Sequence, residues 1–385
     1  MIWSSTTQKS RSNDWTNSVC LLSTCLHPVG GAEMQVGELA KALHHRGWRV
    51  HVVSMLPAAG QINAELTACG IPIYSLDMKR GKADLRGILR LAELIKEHRP
   101  SILHSHMVHA NLLARVTRAV VPVPIQISTV HSIQEGGRLR ELAYRLTDRL
   151  ADKTTAISEA AALRYVRVKA ARPQNMSVIP NAVDTMKFRP DIELRNRTRS
   201  ALEMDARFMW LAVGRLCEQK DYANLLHAFA AIAETEAVLL IAGDGPMRGK
   251  LQALAVELGI DKRTRFLGFR TDTTALMSAA DGYVMSSRIE GLPIVLLEAS
   301  ACALPIVATD VGGNAEVVKS GRLVPPESPG ALADAMCDIM ALPSEVRAAS
   351  GAAARDYTMR HYSIENVIAQ WEHLYRNLLC GVYRL

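Results

Sequence analysis

The chain has 385 residues, room for two ordinary domains, and its 49% apolar and 22% charged content excludes collagenous, low-complexity and disordered classes. Seven cysteines are odd in number, scattered and without a C-x-x-C pair, so neither a disulfide framework nor a zinc knuckle is indicated and a reducing cytoplasm is the expected setting. The net charge of +7 is uneven: residues 1–190 carry 25 Lys and Arg against 14 Asp and Glu, whereas residues 191–385 carry 20 against 24.

Met1–Asn17 is rich in Ser, Thr and Asn with no apolar run, which predicts a disordered lead-in rather than a signal peptide. Strands are then expected at Ser18–Cys25, Trp48–Met55, Pro72–Asp77, Ile102–His106, Pro124–His131, Lys153–Ile157 and Met176–Ile179. Segments of helical period such as Ala32–Arg46 and Asp84–His98 lie between them. A charge-rich stretch with Pro190, Asp184–Ser200, reads as a linker. Strands resume at Phe208–Gly214, Val238–Gly243, Thr264–Gly268, Gly282–Ser286 and Pro305–Thr309, and helices at Ser344–Arg360 and Ser363–Cys380 close the chain. This alternation predicts an α/β protein of two Rossmann-like, doubly wound parallel-sheet domains, residues 18–190 and 191–360, with residues 361–385 packing back towards the first. The most apolar stretch, Leu292–Ala308, is too short to span a membrane and contains Pro293, Glu298 and Pro305.

In such sheets ligands bind beyond the carboxyl ends of the strands, so the residues there are the site candidates. Gly30-Gly31-Ala32-Glu33 opens the first helix, and paired glycines before free N–H groups suit a bulky anion; the full G-x-G-x-x-G pattern is missing, which disfavours a dinucleotide cofactor. Gly243–Lys250 imitates a phosphate loop, but five residues separate Gly243 from Gly249 and Leu251 stands where Ser or Thr would hold magnesium. Gly214-Arg215 ends a strand and Lys220 follows five residues later, two cations suited to a diphosphate. Glu290-Gly291-Leu292-Pro293 leads into an apolar helix that contains Glu298, and a carboxylate on such a helix needs partners such as ribose hydroxyls. His104 and His106 share a strand face without further ligands nearby, and no Asp-x-Asp occurs, so no metal is expected.

Taken together, these motifs and Ile127–His131, Ala156–Glu159, Ile179–Asp184, Val213–Leu216, Phe266–Phe269 and the Glu290-x7-Glu298 pair resemble the retaining glycosyltransferases of family 4, from Gly30 to about Tyr375. The resemblance implies a GT-B fold, two domains facing across a cleft, and transfer of sugar from a nucleotide-sugar, a UDP-sugar in the favoured reading, without metal or other cofactor. It assigns Gly31, Arg215, Lys220, Gly291 and Leu292 to the donor diphosphate, Leu267, Gly268 and Glu298 to the nucleoside, and Glu290 and His131 to the sugar and the reacting centre. One departure is Lys220-Asp221 where the family has Lys-Gly, and Asp221 is expected to cap the following helix.

The acceptor expected from the resemblance is a polyprenyl-linked or other saccharide in cell-surface polysaccharide or glycolipid synthesis. Leu139, Leu142, Leu146 and Leu150 form one stripe among Arg138, Arg140, Arg145, Arg149 and Lys153, and with Lys79, Arg80, Lys82, Arg86 and Arg90 they suggest a face for anionic lipid at the inner membrane surface. The stripe equally suits an ordinary buried helix. Two other readings stay open: a GT-B epimerase or hydrolase acting on UDP-N-acetylglucosamine, and a non-catalytic polyanion-binding protein, although nucleic acid is not the expected partner.

Overall fold

The computed structural model describes residues 17–26, 30–81, 84–204, 207–232 and 237–383. Apart from Asn17, the expected lead-in lies outside these residues, as does Lys82. Two parallel sheets are present. The first has seven strands, β1 (Ser18–Ser23), β2 (Arg49–Ser54), β3 (Ile73–Ser75), β4 (Ile102–His106), β5 (Ile125–Val130), β6 (Lys153–Ala156) and β7 (Met176–Val178), in the order β3-β2-β1-β4-β5-β6-β7. The second has six, β8 (Met209–Val213), β9 (Val238–Ala242), β10 (Thr264–Gly268), β11 (Gly282–Met285), β12 (Ile306–Thr309) and β13 (Arg322–Val324), in the order β10-β9-β8-β11-β12-β13. In each sheet the chain winds outward from its first strand in one direction and then in the other, the doubly wound pattern whose reversal point is the usual ligand position. The expectation of two such sheets holds. The strand β13 was not anticipated: it has three residues, begins on an exposed Arg322 and offers no periodic signal.

The chain divides into two compact units, one drawn from Met1–Ser128, Arg149–Lys153 and Leu374–Leu385, the other from Thr129–Asp148 and Thr154–His373. The end of the last helix, Ile364–Tyr383, thus counts with the first unit, where the Tyr375 hydroxyl lies 2.6 Å from His104 Nδ1 and its ring meets Trp48 edge-on at 5.3 Å. His104 is thus tied through Nδ1 to the last helix. Elsewhere in this unit His51 stacks on His98 at 4.5 Å, and burial, with the charges of His98 and Arg49, pushes its imidazole down to about 4.

In the second unit the period of two along β8 sends Met209 and Leu211 into one apolar layer with Leu240, Leu296 and Leu297, and Trp210 and Ala212 into the opposite layer with Phe229, Leu239 and Met336. Both faces are covered, which is why these strands read as continuous apolar runs. The expected linker is in part a helix, Ile192–Ala201, started by Asp191, whose carboxylate accepts the Leu194 N–H at 2.9 Å. It buries no residue. Arg195 and Arg199 instead fasten it to Asp281, at 2.5 and 3.0 Å, and to backbone carbonyls at Ala279 and Ala280.

Candidate active site

The reversal point of the second sheet lies between β8 and β11, and the loops that leave these two strands carry most of the expected donor residues. Beyond β8, Arg215 is exposed, and among the described residues no carboxylate pairs with its guanidinium. A short 3-10 turn, Glu218–Lys220, then brings Lys220 back beneath the strand end. Its Nζ lies 2.5 Å from Glu290 Oε1, and Glu290 is only 7% exposed. Two residues read from the sequence as separate ligand contacts, seventy positions apart, thus hold one another.

The departure at Asp221 has a conformational reason. This residue has φ +46° and ψ +50°, a left-handed conformation that glycine adopts without cost and aspartate tolerates better than most residues. Asp221 caps the helix Tyr222–Ala231 as expected, accepting the Asn224 N–H at 3.4 Å. Its other oxygen receives Arg288 Nε at 2.9 Å, and Arg288 also reaches Glu327 at 3.2 Å. Arg288 thus offsets the charge of the Asp221 side chain, and Glu290 remains the carboxylate that pairs with Lys220.

The loop after β11 is pressed against its neighbours through glycine. At Gly312, φ is +59° and a Cβ would stand 2.0 Å from the Glu290 carbonyl oxygen. At Gly291 a Cβ would meet the His131 carbonyl oxygen at 2.7 Å, so the absence of side chains lets the Glu290–Gly291 segment lie against the end of β5. The Gly291 carbonyl accepts from Gly313 N at 2.9 Å and the Leu292 carbonyl from Asn181 Nδ2 at 2.7 Å, whereas among the described residues neither the Gly291 nor the Leu292 N–H donates to a protein acceptor. Pro293 is the N-cap of the helix Ile294–Ala301, one position earlier than the first helical residue.

Glu298 sits in that helix, 6% exposed, and no donor among the described residues bonds its carboxylate. Burial pushes it up to about 7, with the Lys187 charge opposing. The fully buried Tyr283, which donates to the Val213 carbonyl at 3.3 Å, is raised well above the ordinary phenol range by burial and then by Tyr222, Glu298 and Glu290. Both carboxylates of the Glu290-x7-Glu298 pair therefore act on one phenol beneath β8.

Leu267 and Gly268 end β10, where the Gly268 carbonyl accepts from Gly243 N at 2.8 Å. The Gly243 loop in turn crosses the Gly214 backbone closely enough that a Cβ on Gly243 would stand 1.9 Å from the Gly214 oxygen. The sequence Gly243–Lys250 is thus a packing loop, and its helix starts only at Arg248. His131 follows β5, and burial pushes its imidazole down to about 4, which keeps it neutral at physiological pH. Gly31, the remaining expected residue, belongs to the first unit, where it opens the helix Gly31–His45 with Glu33 in the first turn.

Sequence reasoning missed Arg288, Tyr222, Tyr283 and Glu135. The last bonds the His131 N–H, and the only signal for it was a carboxylate four residues after His131 in a very basic stretch. Among the described residues no group of three or more His, Cys, Asp or Glu side chains is gathered as for a metal. No helix among them is long and apolar enough to cross a membrane.

Comparison with known proteins agrees with this arrangement. Residues 29–187 match the model of the family described as Glycosyltransferase Family 4, and residues 207–341 that described as Glycosyl transferases group 1. Among curated relatives, UDP-Gal:alpha-D-GlcNAc-diphosphoundecaprenol alpha-1,3-galactosyltransferase of Escherichia coli is 28% identical over 250 residues, which cover 62% of this chain and 65%, just under two thirds, of that enzyme. D-inositol 3-phosphate glycosyltransferase of Saccharomonospora viridis is 28% identical over 90% of this chain and 91% of its own. Among solved structures, Anabaena Alr3699/HepE in complex with UDP superposes with a TM-score of 0.83 at 20% identity, over 94% of this chain and all of that one. The chain belongs to glycosyltransferase family 4 and is a glycosyltransferase with the GT-B fold.

Proposed function

We propose that the protein is a retaining, metal-independent glycosyltransferase that moves a sugar from a UDP-sugar to a lipid-linked saccharide in cell-surface polysaccharide or glycolipid synthesis. The observation that carries this reading is the set of groups around β8 and β11 that no protein partner satisfies among the described residues: the Arg215 guanidinium, the N–H groups of Gly291 and Leu292, and the buried Glu298 carboxyl. In this reading Arg215, Lys220 and those N–H groups take the donor diphosphate and stabilise the charge that grows on it as the glycosidic bond breaks, with no cation beyond the protein's own. Glu298 accepts from the ribose hydroxyls, and the backbone at Leu267–Gly268 lies along the base. Lys220 passes from Glu290 to phosphate on binding, which frees Glu290 for the sugar hydroxyls. The departing phosphate oxygen takes the acceptor's proton, so no protein carboxylate becomes the nucleophile. A neutral His131 suits this scheme, since it hydrogen-bonds the sugar without setting a second positive charge beside an oxocarbenium-like centre.

The UDP-Gal and diphosphoundecaprenol in the name of the Escherichia coli relative, and the UDP in the Anabaena structure, support this donor and acceptor class. The helix Arg138–Thr147 supports work at a lipid surface. It buries Tyr144 on its inner side and leaves Leu139, Leu142 and Leu146, 83%, 45% and 75% exposed, on the opposite side, where Arg138, Arg145 and Arg149 flank them. An outward apolar stripe with a cationic border fits the inner, anionic face of a membrane and supports a peripheral position there. A thermal-shift screen tests the donor assignment. Stabilisation by UDP above GDP, ADP and an oligonucleotide is expected, and equal response to all, or a response to the oligonucleotide alone, overturns it.

A further inference from the structure

The turn that joins β5 to the helix Arg138–Thr147 contains a carboxylate with a donor on each oxygen. Glu135 Oε1 accepts the backbone N–H of His131 at 2.8 Å, and Oε2 accepts the Tyr144 hydroxyl at 3.0 Å. Tyr165 packs against Tyr144, the two phenols 1% and 3% exposed and their rings edge to face at 5.6 Å. The Glu135 carbonyl accepts Arg140 Nη1 at 2.6 Å, which closes the turn from the helix side. The two side-chain oxygens are thus not capping that helix, whose N-cap is Gly137 and has no side-chain cap. They reach back across the turn to the residue that follows the strand. The carbonyl side of the same residue is fixed too, because Gly291 leaves no room for a Cβ beside the His131 oxygen.

We infer that Glu135 is a positioning residue for His131: held by Tyr144, its carboxylate fixes the His131 peptide and so sets where the imidazole meets the donor sugar. This rests on the proposed place of His131 at the reacting centre. The physical case is that a partly buried carboxylate is costly unless donors converge on it, and two do so here, one on each oxygen. Burial pushes Glu135 up to about 7 even so, with the His131 N–H, Tyr144, Tyr165 and the Arg140 charge all pulling it down. A group kept at that cost in a loop beside the proposed sugar site stabilises one loop conformation over others. Reacting groups depend steeply on such placement.

The test compares E135A, E135Q, Y144F and H131A in the full chain by acceptor-dependent sugar transfer, melting temperature and the NMR signals of isotope-labelled histidine. E135A is expected to lower kcat roughly 10- to 100-fold while donor KM stays within about threefold, and to shift or broaden the His131 imidazole resonances. E135Q, whose amide oxygen still accepts from the His131 N–H, is expected to keep kcat within about fivefold, and Y144F to fall between the two. Unmoved His131 resonances in E135A overturn the inference, as does equal loss in E135A and E135Q in step with melting temperature. Wild-type turnover in H131A overturns the placement of His131 instead, and the resonances in E135A then still report whether Glu135 holds it.

Discussion

Replacing Glu298 by glutamine separates what this carboxyl costs from what it does. Glu298 is 6% exposed and bonded by no donor among the described residues, and its pKa rises from 4.5 to about 7. Between those values the folded chain keeps a proton that the unfolded chain has lost, so its contribution makes stability fall as pH rises from about 4.5 and levels off above 7. At about 1.4 kcal/mol per pH unit this amounts to roughly 3 kcal/mol at high pH. Glutamine keeps the shape and removes the ionisation. E298Q is therefore expected to match the wild type near pH 4.5 and to melt roughly 6–12 °C higher near pH 8.5, a scale set by the size of the second unit. Scanning calorimetry at the two pH values measures the difference, with UDP added in a parallel series. The variant is expected to gain heat resistance yet respond less to UDP, because an amide is a poorer partner than a carboxylate for paired ribose hydroxyls. A variant equal to or weaker than the wild type at pH 8.5 refutes the view that this carboxyl is buried at a cost.

Further expectations follow from other contacts. K220A and E290A each abolish transfer, and K220A also lowers stability by up to about 3 kcal/mol because it leaves Glu290 buried without its 2.5 Å partner, a loss that E290Q in the same chain partly reverses in urea titrations. G312A, which would set a Cβ 2.0 Å from the Glu290 oxygen at φ +59°, costs about 1–3 kcal/mol and lowers kcat; an unchanged kcat contradicts the role given to that loop. His51 is held near 4, below its usual 6.5, so the unfolded chain takes up its proton first and stability rises with pH between these values; H51L flattens that rise in melting curves. L139S/L142S/L146S lowers co-sedimentation with anionic vesicles at low salt while leaving UDP binding intact, and equal sedimentation of both proteins rejects the lipid-facing role of that helix.

Where buried apolar residues decide the structure, the sequence could be read closely: the strands from β1 to β12 and the long terminal helices lie within a few residues of the ranges expected from periodicity. Polar elements escaped that reading. The helix Ile192–Ala201 buries nothing and is held by Arg195 and Arg199 on Asp281, eighty or more positions away, so no local pattern announces it. The same limit applied at the site. The residue types that suit a diphosphate and a ribose were legible from Arg215, Lys220, Glu290 and Glu298, and so was the cap at Asp221. That Lys220 and Glu290 pair with one another was not, since their contact is a property of the β8 and β11 ends lying side by side. Likewise the leucines after Gly137 fitted an inner or an outer face equally well until Tyr144 was seen to occupy the inner one.

The most direct measurement is UDP release from a panel of UDP-sugars, with and without a polyprenyl-diphosphate-linked saccharide, in the wild type and in E290A. The account predicts release that depends on the acceptor for at least one donor, yields a product with the donor's anomeric configuration, and disappears in E290A. Release independent of any acceptor, or undiminished in E290A, contradicts it.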